Sequence, residues 1–171
     1  MIETARLTLR RHLAEDFEAC HAIRQEPVVT KYISGATPTE DESWVRFLGF
    51  FGRWDVMGYG LFAVIEKSYN RYIGEAGYSD FRRGLGRDFD TVHEPAWSLS
   101  GTCHGKGYGL EAMTAVQKWL DEKFTPDKTV CIISPENIAS IRLAEKLGFR
   151  PTGQSTYKQE PVRLFERLKP T

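Results

Sequence analysis

Glycines at positions 105, 107 and 109 follow a strand-like run, Glu94–Ser100, and precede a run with helical spacing, Leu110, Met113, Val116 and Leu120. A chain that passes from strand to helix through such a loop commits both elements to an α/β layer arrangement. Glycine accepts positive φ and leaves the backbone N–H groups of the turn uncovered, while the helix behind adds the positive end of its dipole. The stretch therefore reads as an anion cradle, and equally, taken alone, as a tight turn.

The flanking sequence predicts the rest of the layers. "ARLTLR" alternates at the strand period, and "AEDFEACHAIRQEP" spaces Phe17, Cys20, His21 and Arg24 as a helix that Pro27 ends. "TPTEDESWVRFLGFFGRW" predicts a second helix with Trp44, Phe47, Leu48, Phe51 and Trp54 on one face. Residues 58–66 and 71–81 read as an antiparallel hairpin, and "KTVCIIS" as a buried-type strand. "NIASIRLAEKLGF" reads as a helix closed by Gly148, and the segments "FRPTGQSTYK" and "PVRLFERL" as a final strand pair. With 41% hydrophobic residues over 171 positions, this predicts one α/β domain spanning 1–171. Its sheet is expected to be mixed, mostly antiparallel and central, with helices on both faces.

Several function classes lose support. Lys and Arg total 23 against 23 Asp and Glu, so the overall charge indicates neither nucleic acid nor an anionic membrane as partner. No apolar run approaches the ~20 residues of a membrane helix, and the N-terminus does not read as a secretory signal. Cys20, Cys103 and Cys131 are too scattered for a disulfide framework or zinc knuckle, which points to a reduced, cytoplasmic protein. No metal-ligand spacing is present, so no metal is expected. A P-loop fails because Gly101 and Gly105 stand too close and Lys106 is followed by Gly107; a dinucleotide fingerprint counted from Gly105 fails at Leu110. What remains, His104-x-x-Gly107-x-Gly109, suits a diphosphate held without a metal.

At this junction the sequence resembles the GNAT superfamily of acyl-coenzyme A N-acyltransferases, whose signature is [Q/R]-x-x-G-x-[G/A]. "HGKGYGLEA" is similar to the branch of ribosomal-protein N-terminal (RimJ/RimL-like) acetyltransferases, and "NIASIRLAEKLGF" to the family's N-x-x-S-x-x-x-x-x-K-x-G-F helix. The opening "ARLTLR" resembles the branch's first strand. The resemblance implies acetyl-CoA as acyl donor, with the pyrophosphate on the backbone of Gly105, Lys106, Gly107, Tyr108 and Gly109 and His104 standing where Gln or Arg is usual. It places Ser98, Leu99 and Ser100 beside the pantetheine arm, and Asn137 and Ser140 across from it.

Transfer of an acyl group to an amine needs a neutral amine, polarisation of the thioester carbonyl and a proton for the departing thiolate. Glu94 falls where the branch commonly has an acid and is the expected base; Glu75 is its rival, read as a charge partner. The position where relatives carry a tyrosine acid is Ala144, so Ser140 is the nearest matched hydroxyl, able to donate to sulfur, relay a proton or bond a carbonyl one turn back. Cys103 reads as packing rather than an acyl carrier, which favours direct attack in a ternary complex. Trp44, Phe47, Phe51 and Trp54 read as core with one or two rings bordering an acceptor cleft, and Tyr78 and Trp97 as further candidates. The expected acceptor is a primary amine, either a protein N-terminus or a small molecule. A coenzyme A-binding module without catalysis is the alternative, and a homodimer is compatible with either.

Overall fold

The alternation in "LTLR" has a direct physical outcome: Leu7 and Leu9 are fully buried while Thr8 and Arg10 remain partly exposed. The structure, a computed structural model, describes residues 1–33 and 35–169. Strands β1 (Ile2–Glu3), β2 (Leu7–Arg10), β3 (Leu61–Glu66), β4 (Arg71–Ser79) and β5 (Glu94–Leu99) form one antiparallel sheet in that order. β6 (Lys128–Ile133), β7 (Arg150–Tyr157) and β8 (Glu160–Leu168) form a second, ordered β6-β8-β7. The expected mixed sheet is thus two antiparallel sheets, and their junction is a single parallel bridge between His93 and Thr129.

Helices cover both faces. α1 (Phe17–Arg24) and α3 (Glu40–Met57) pack Phe17, Cys20, Phe47 and Phe50 against Leu61 on one side. On the other, α4 (Tyr108–Phe124) and α5 (Ile138–Lys146) bury Met113, Val116, Leu120, Ile141 and Ala144 against Phe62, Val64, Ala76 and Tyr78. Pro27 does not merely stop α1; it occupies the first turn of a short helix α2 (Pro27–Thr30), where its missing N–H costs nothing. α3 begins with a reciprocal cap, Thr39 with Glu42, and ends at Gly58 in the left-handed conformation.

Strand β4 carries one irregularity that positions the functional face. Val64 pairs with Gly74 and Ile65 with Tyr72, leaving Ile73 as an extra residue. The bulge puts Tyr72 and Glu75 on the same face, which a strict two-residue period would forbid, and their side chains bond at 3.0 Å. Gly74 is required there: its φ is +142°, and a Cβ would lie 2.1 Å from the carbonyl oxygen of Ser98.

The buried face of α3 differs from the expected one. Ser43, Phe47 and Phe50 are its buried residues, and Trp54, half-buried at its end, packs instead on Phe62 and Trp119 of the other core cluster, whereas Leu48 is 47% exposed. The spacing of four, three and four residues selects Phe50, because Phe50 stacks on the buried ring of His12 at 4.3 Å. Phe50→Ala should therefore lower the unfolding free energy by about 3–5 kcal/mol and Leu48→Ala by no more than about 0.5 kcal/mol. Denaturant midpoints at constant slope check both; equal losses would contradict this packing.

Candidate functional site

β5 and β6 are each the edge strand of their sheet, and they meet only at His93–Thr129, where the Val130 amide donates to the His93 carbonyl at 3.1 Å. Beyond that bridge neither edge pairs with another strand among the described residues. Unpaired backbone edges facing one another form a wedge lined with donors and acceptors. At its wide end lie the 100–107 loop and the start of α5, and the Trp97 indole reaches across it, donating to Ser140 Oγ at 3.2 Å.

The glycine loop is built to leave its amides free. Gly105 and Gly107 hold φ of +73° and +80°, and Gly107 caps α4 without a side-chain bond. Among the described residues no acceptor serves the amides of Gly105, Lys106 or Gly107, and the first-turn amides of α4 have no intrahelical partner. Arg6 fixes this arrangement from β2's approach. Its guanidinium donates to the Lys106 carbonyl at 2.9 Å and to Glu111 at 2.6 Å, and lies 4.4 Å over the Tyr108 ring. The Tyr108 hydroxyl donates in turn to buried Glu66 at 2.6 Å.

Each expected residue can now be placed. The Ser98 hydroxyl is buried without a partner. Leu99 is core, and its carbonyl accepts from His104 Nε2 at 2.9 Å, so His104 braces the strand end while Lys106 stays exposed. The Ser100 hydroxyl donates to Glu26 at 2.9 Å, and the Gly101 amide takes the other Glu26 oxygen at 2.7 Å. A Cβ on Gly109 would lie 3.3 Å from Leu143, so that glycine lets α4 approach α5. The Asn137 carbonyl oxygen caps α5 at the Ser140 amide, 3.1 Å away. Cys103 is buried beside Thr102. Tyr78 does not line a cleft: it is fully buried in the α4 core with its hydroxyl donating to Gln117.

Glu94 and Glu75 share the α1/α3 face with Ser98 and Ser79, since directly paired residues project to the same side. Glu94 is 3% exposed, and both its oxygens accept from Arg83 Nε at 2.8 Å. Burial pushes its pKa up, Arg83 pulls it back, and the balance lies above the ordinary carboxylate value. Arg83 is itself wedged between the rings of Phe81 and Tyr157, at 4.7 and 4.9 Å. Glu75 is equally buried but tied down by an ion pair with Arg24 and by Tyr72; it is a charge partner, but of helix α1 rather than of the neighbouring strand expected for it. Sequence reasoning passed over Arg83 because "RRGLGRDFD" shows only a charged loop, with no period to say which arginine turns inward. Among the described residues no His, Cys, Asp and Glu cluster could hold a metal, and no helix is long and apolar enough to cross a membrane.

Glu111 is the hub of the loop's anchor, accepting from the Thr4 hydroxyl, the Arg6 amide and the Arg6 guanidinium at 2.6–2.8 Å. Partial burial pushes its pKa up, but these donors outweigh that and hold it below the ordinary value. Its ionised form therefore stabilises the fold above the unfolded-state pKa, and that contribution is lost as pH falls through the depressed folded value. Glu111→Gln should cost about 1–3 kcal/mol at neutral pH, with the gap to wild type closing below pH ~4. Unfolding curves across pH check this; a gap that persists unchanged in acid would contradict it.

Comparison with known proteins agrees with this geometry. The profile of the family described as acetyltransferase (GNAT) domain matches residues 6–150. The chain is 32% identical over 169 residues to the uncharacterized N-acetyltransferase p20 of Bacillus licheniformis, covering 95% of this chain and 90% of that protein. A solved chain from Bordetella pertussis, assigned to the GnaT family of acetyltransferases, superposes with a TM-score of 0.88 at 30% identity, covering 97% of this chain and 98% of that one. The same fold recurs at 14% identity and TM-score 0.79 in RimL, described as a ribosomal L7/L12 alpha-N-protein acetyltransferase in complex with coenzyme A, with 96% and 95% of the two chains covered. Wedge, glycine loop and sequence likeness converge: the chain belongs to the GNAT family of acetyl-CoA-dependent N-acetyltransferases.

Proposed function

We propose that this acetyltransferase transfers its acetyl group to a primary amine by direct attack in a ternary complex, with Glu94 taking the amine proton. The observation that carries the reading is Glu94 itself, a carboxylate buried on the cleft face of β5 whose pKa is raised rather than lowered. A base is more useful the closer its pKa comes to the working pH, and burial moves Glu94 in that direction. Arg83 and the Ile132 amide of β6 hold the carboxylate in place, and a remaining lone pair is available to the amine or a bridging water.

The chain fits coenzyme A on its own evidence. Open space stands where a Cβ would project at Gly105, the loop amides lack acceptors, and the Ser98 hydroxyl is buried without a partner beside an unpaired strand edge. When bound, acetyl-CoA supplies the activated thioester. Gly105 to Gly109 would take the pyrophosphate on main-chain N–H groups, and the edges of β5 and β6 would take the arm's amides as a further strand would. His104, Leu99, Ser100 and Asn137 act by holding backbone rather than through free side-chain groups. Ser140 accepts from Trp97 and keeps its own hydroxyl proton available, so it is placed to donate at the sulfur. Cys103, buried with neither a histidine nor a carboxylate bonded to it, supports direct transfer over an acyl-enzyme.

Gly107→Val should abolish coenzyme A binding measured by calorimetry, because a β-branched residue resists φ of +80° and would cover the loop amides. Unchanged affinity in a folded variant would reduce the loop to a turn. Glu94→Gln should lower kcat by roughly 10²–10⁴-fold with coenzyme A affinity little changed. In wild type the acidic limb of kcat should lie above the ordinary carboxylate range, and the variant should flatten it. The profile is compared on one acceptor, since the amine's own ionisation is common to both proteins; full activity of Glu94→Gln at every pH would remove Glu94 from the mechanism.

A further inference from the structure

The outward face of α3 holds two arginines that form no ion pair among the described residues. Arg46 and Arg53 line a cavity of about 540 Å³ together with Asp41, Glu42, Val45 and Gly49. Among the described residues neither guanidinium has a carboxylate within ion-pair distance or a hydrogen-bond acceptor. The acids on the rim are committed to the helix cap: Glu42 accepts from the Thr39 amide at 2.9 Å and Asp41 from its hydroxyl at 2.5 Å. Gly49 brings the pair together, because Arg53 Nη1 folds back to 2.8 Å from where a Cβ would stand. Desolvation and the neighbouring Arg24 lower the Arg46 pKa to about 10, with Glu75 pulling it back up and Arg53 adding a weaker push down, so it is still protonated at neutral pH. Two guanidinium groups sharing one groove repel each other, and an anion between them relieves that repulsion.

The cavity also adjoins the chemistry. Arg53 lies 5.7 Å from the centre of the Phe81 ring, and Arg83, which grips Glu94, lies 4.7 Å from the same ring. One aromatic ring therefore separates the unpaired cations from the guanidinium on the proposed base. We propose that Arg46 and Arg53 bind an anionic group, carboxylate or phosphate, carried by the acceptor, so that the acceptor is a small acidic amine whose amino end reaches Glu94. This rests on the amine-acetylation reading above. The groove runs along one face of α3, and the planar, always-charged guanidinium suits either oxyanion.

Two readouts test it. Thiol release is followed with pairs of acceptors that differ only in the anion and hold it several bonds from the amine: ω-amino acids from 5-aminopentanoate to 8-aminooctanoate against their carboxamides, and the corresponding ω-aminoalkyl phosphates against the aminoalcohols. Wild type should prefer the anionic member of at least one pair by about tenfold or more in kcat/KM, and Arg46→Gln or Arg53→Gln should collapse that ratio about tenfold. Gly49→Ala should do the same by displacing the Arg53 guanidinium without removing charge or weakening the helix, while Lys118→Gln on the exposed side of α4 should keep the ratio. Independently of turnover, calorimetry with glutarate and with inorganic phosphate should show binding to wild type and its loss in both arginine variants; which of the two binds identifies the oxyanion. Equal rates within every pair, or no binding of either probe, would overturn the proposal. Binding of an acidic peptide but of neither small probe would overturn the small-acceptor part. If no amine is acetylated while glutarate or phosphate still binds, the amine reading fails and the anion site stands.

Discussion

The parting of β5 from β6 is the constraint on which the rest of the structure depends. Two strands joined by one parallel bridge, His93 to Thr129, and then left unpaired expose polar backbone that a closed sheet would have satisfied. The fold holds them apart deliberately. His104 draws on the last carbonyl of β5, Glu26 takes the hydroxyl of Ser100 and the amide of Gly101, and α5 is capped by Asn137 at the opposite wall. The strand ends are thus satisfied by side chains, and the facing edges between them have no strand partner among the described residues beyond the His93–Thr129 bridge.

The same parting separates two carboxylates of similar burial into different environments. Glu75 lies over the closed part of the sheet, enclosed by Arg24, Tyr72 and Cys20, and its charge is locked into the α1 interface. Glu94 opens β5, and its partner Arg83 comes from the 80–93 loop rather than from a helix. Residue type does not distinguish them; what does is whether the enclosing cation belongs to the packed layer or to a loop at the cleft.

Much of this was legible in the sequence because it is periodic or conformational. The alternation of Leu7 and Leu9, the spacing in α4 and the Gly148 cap reappear as elements with those roles, and the glycines at 105 and 107 reappear with the positive φ a tight strand-to-helix turn needs. What escaped was set by contacts distant in sequence. No pattern distinguishes Phe50 from Phe51 until His12 supplies a ring to stack on, and none reveals the bulge at Ile73 that turns Glu75 toward α1. Tyr78 reads as a cleft residue until β4's register commits it to the α4 core. Arg83, Glu26 and Glu111 are ordinary surface residues by composition, and they gain meaning only from the carboxylate, loop and strand they reach across the fold.

The central claim is that the wedge between β5 and β6, with the glycine loop at its mouth, is where acetyl-CoA is held. Amide hydrogen exchange resolved by residue, with and without acetyl-CoA, tests it most directly. The account predicts new protection at the amides of 105–109 and along the facing edges of β5 and β6, with β7 and β8 unchanged. Tight binding that leaves those amides exchanging as before, or that protects another face of the molecule instead, would contradict it.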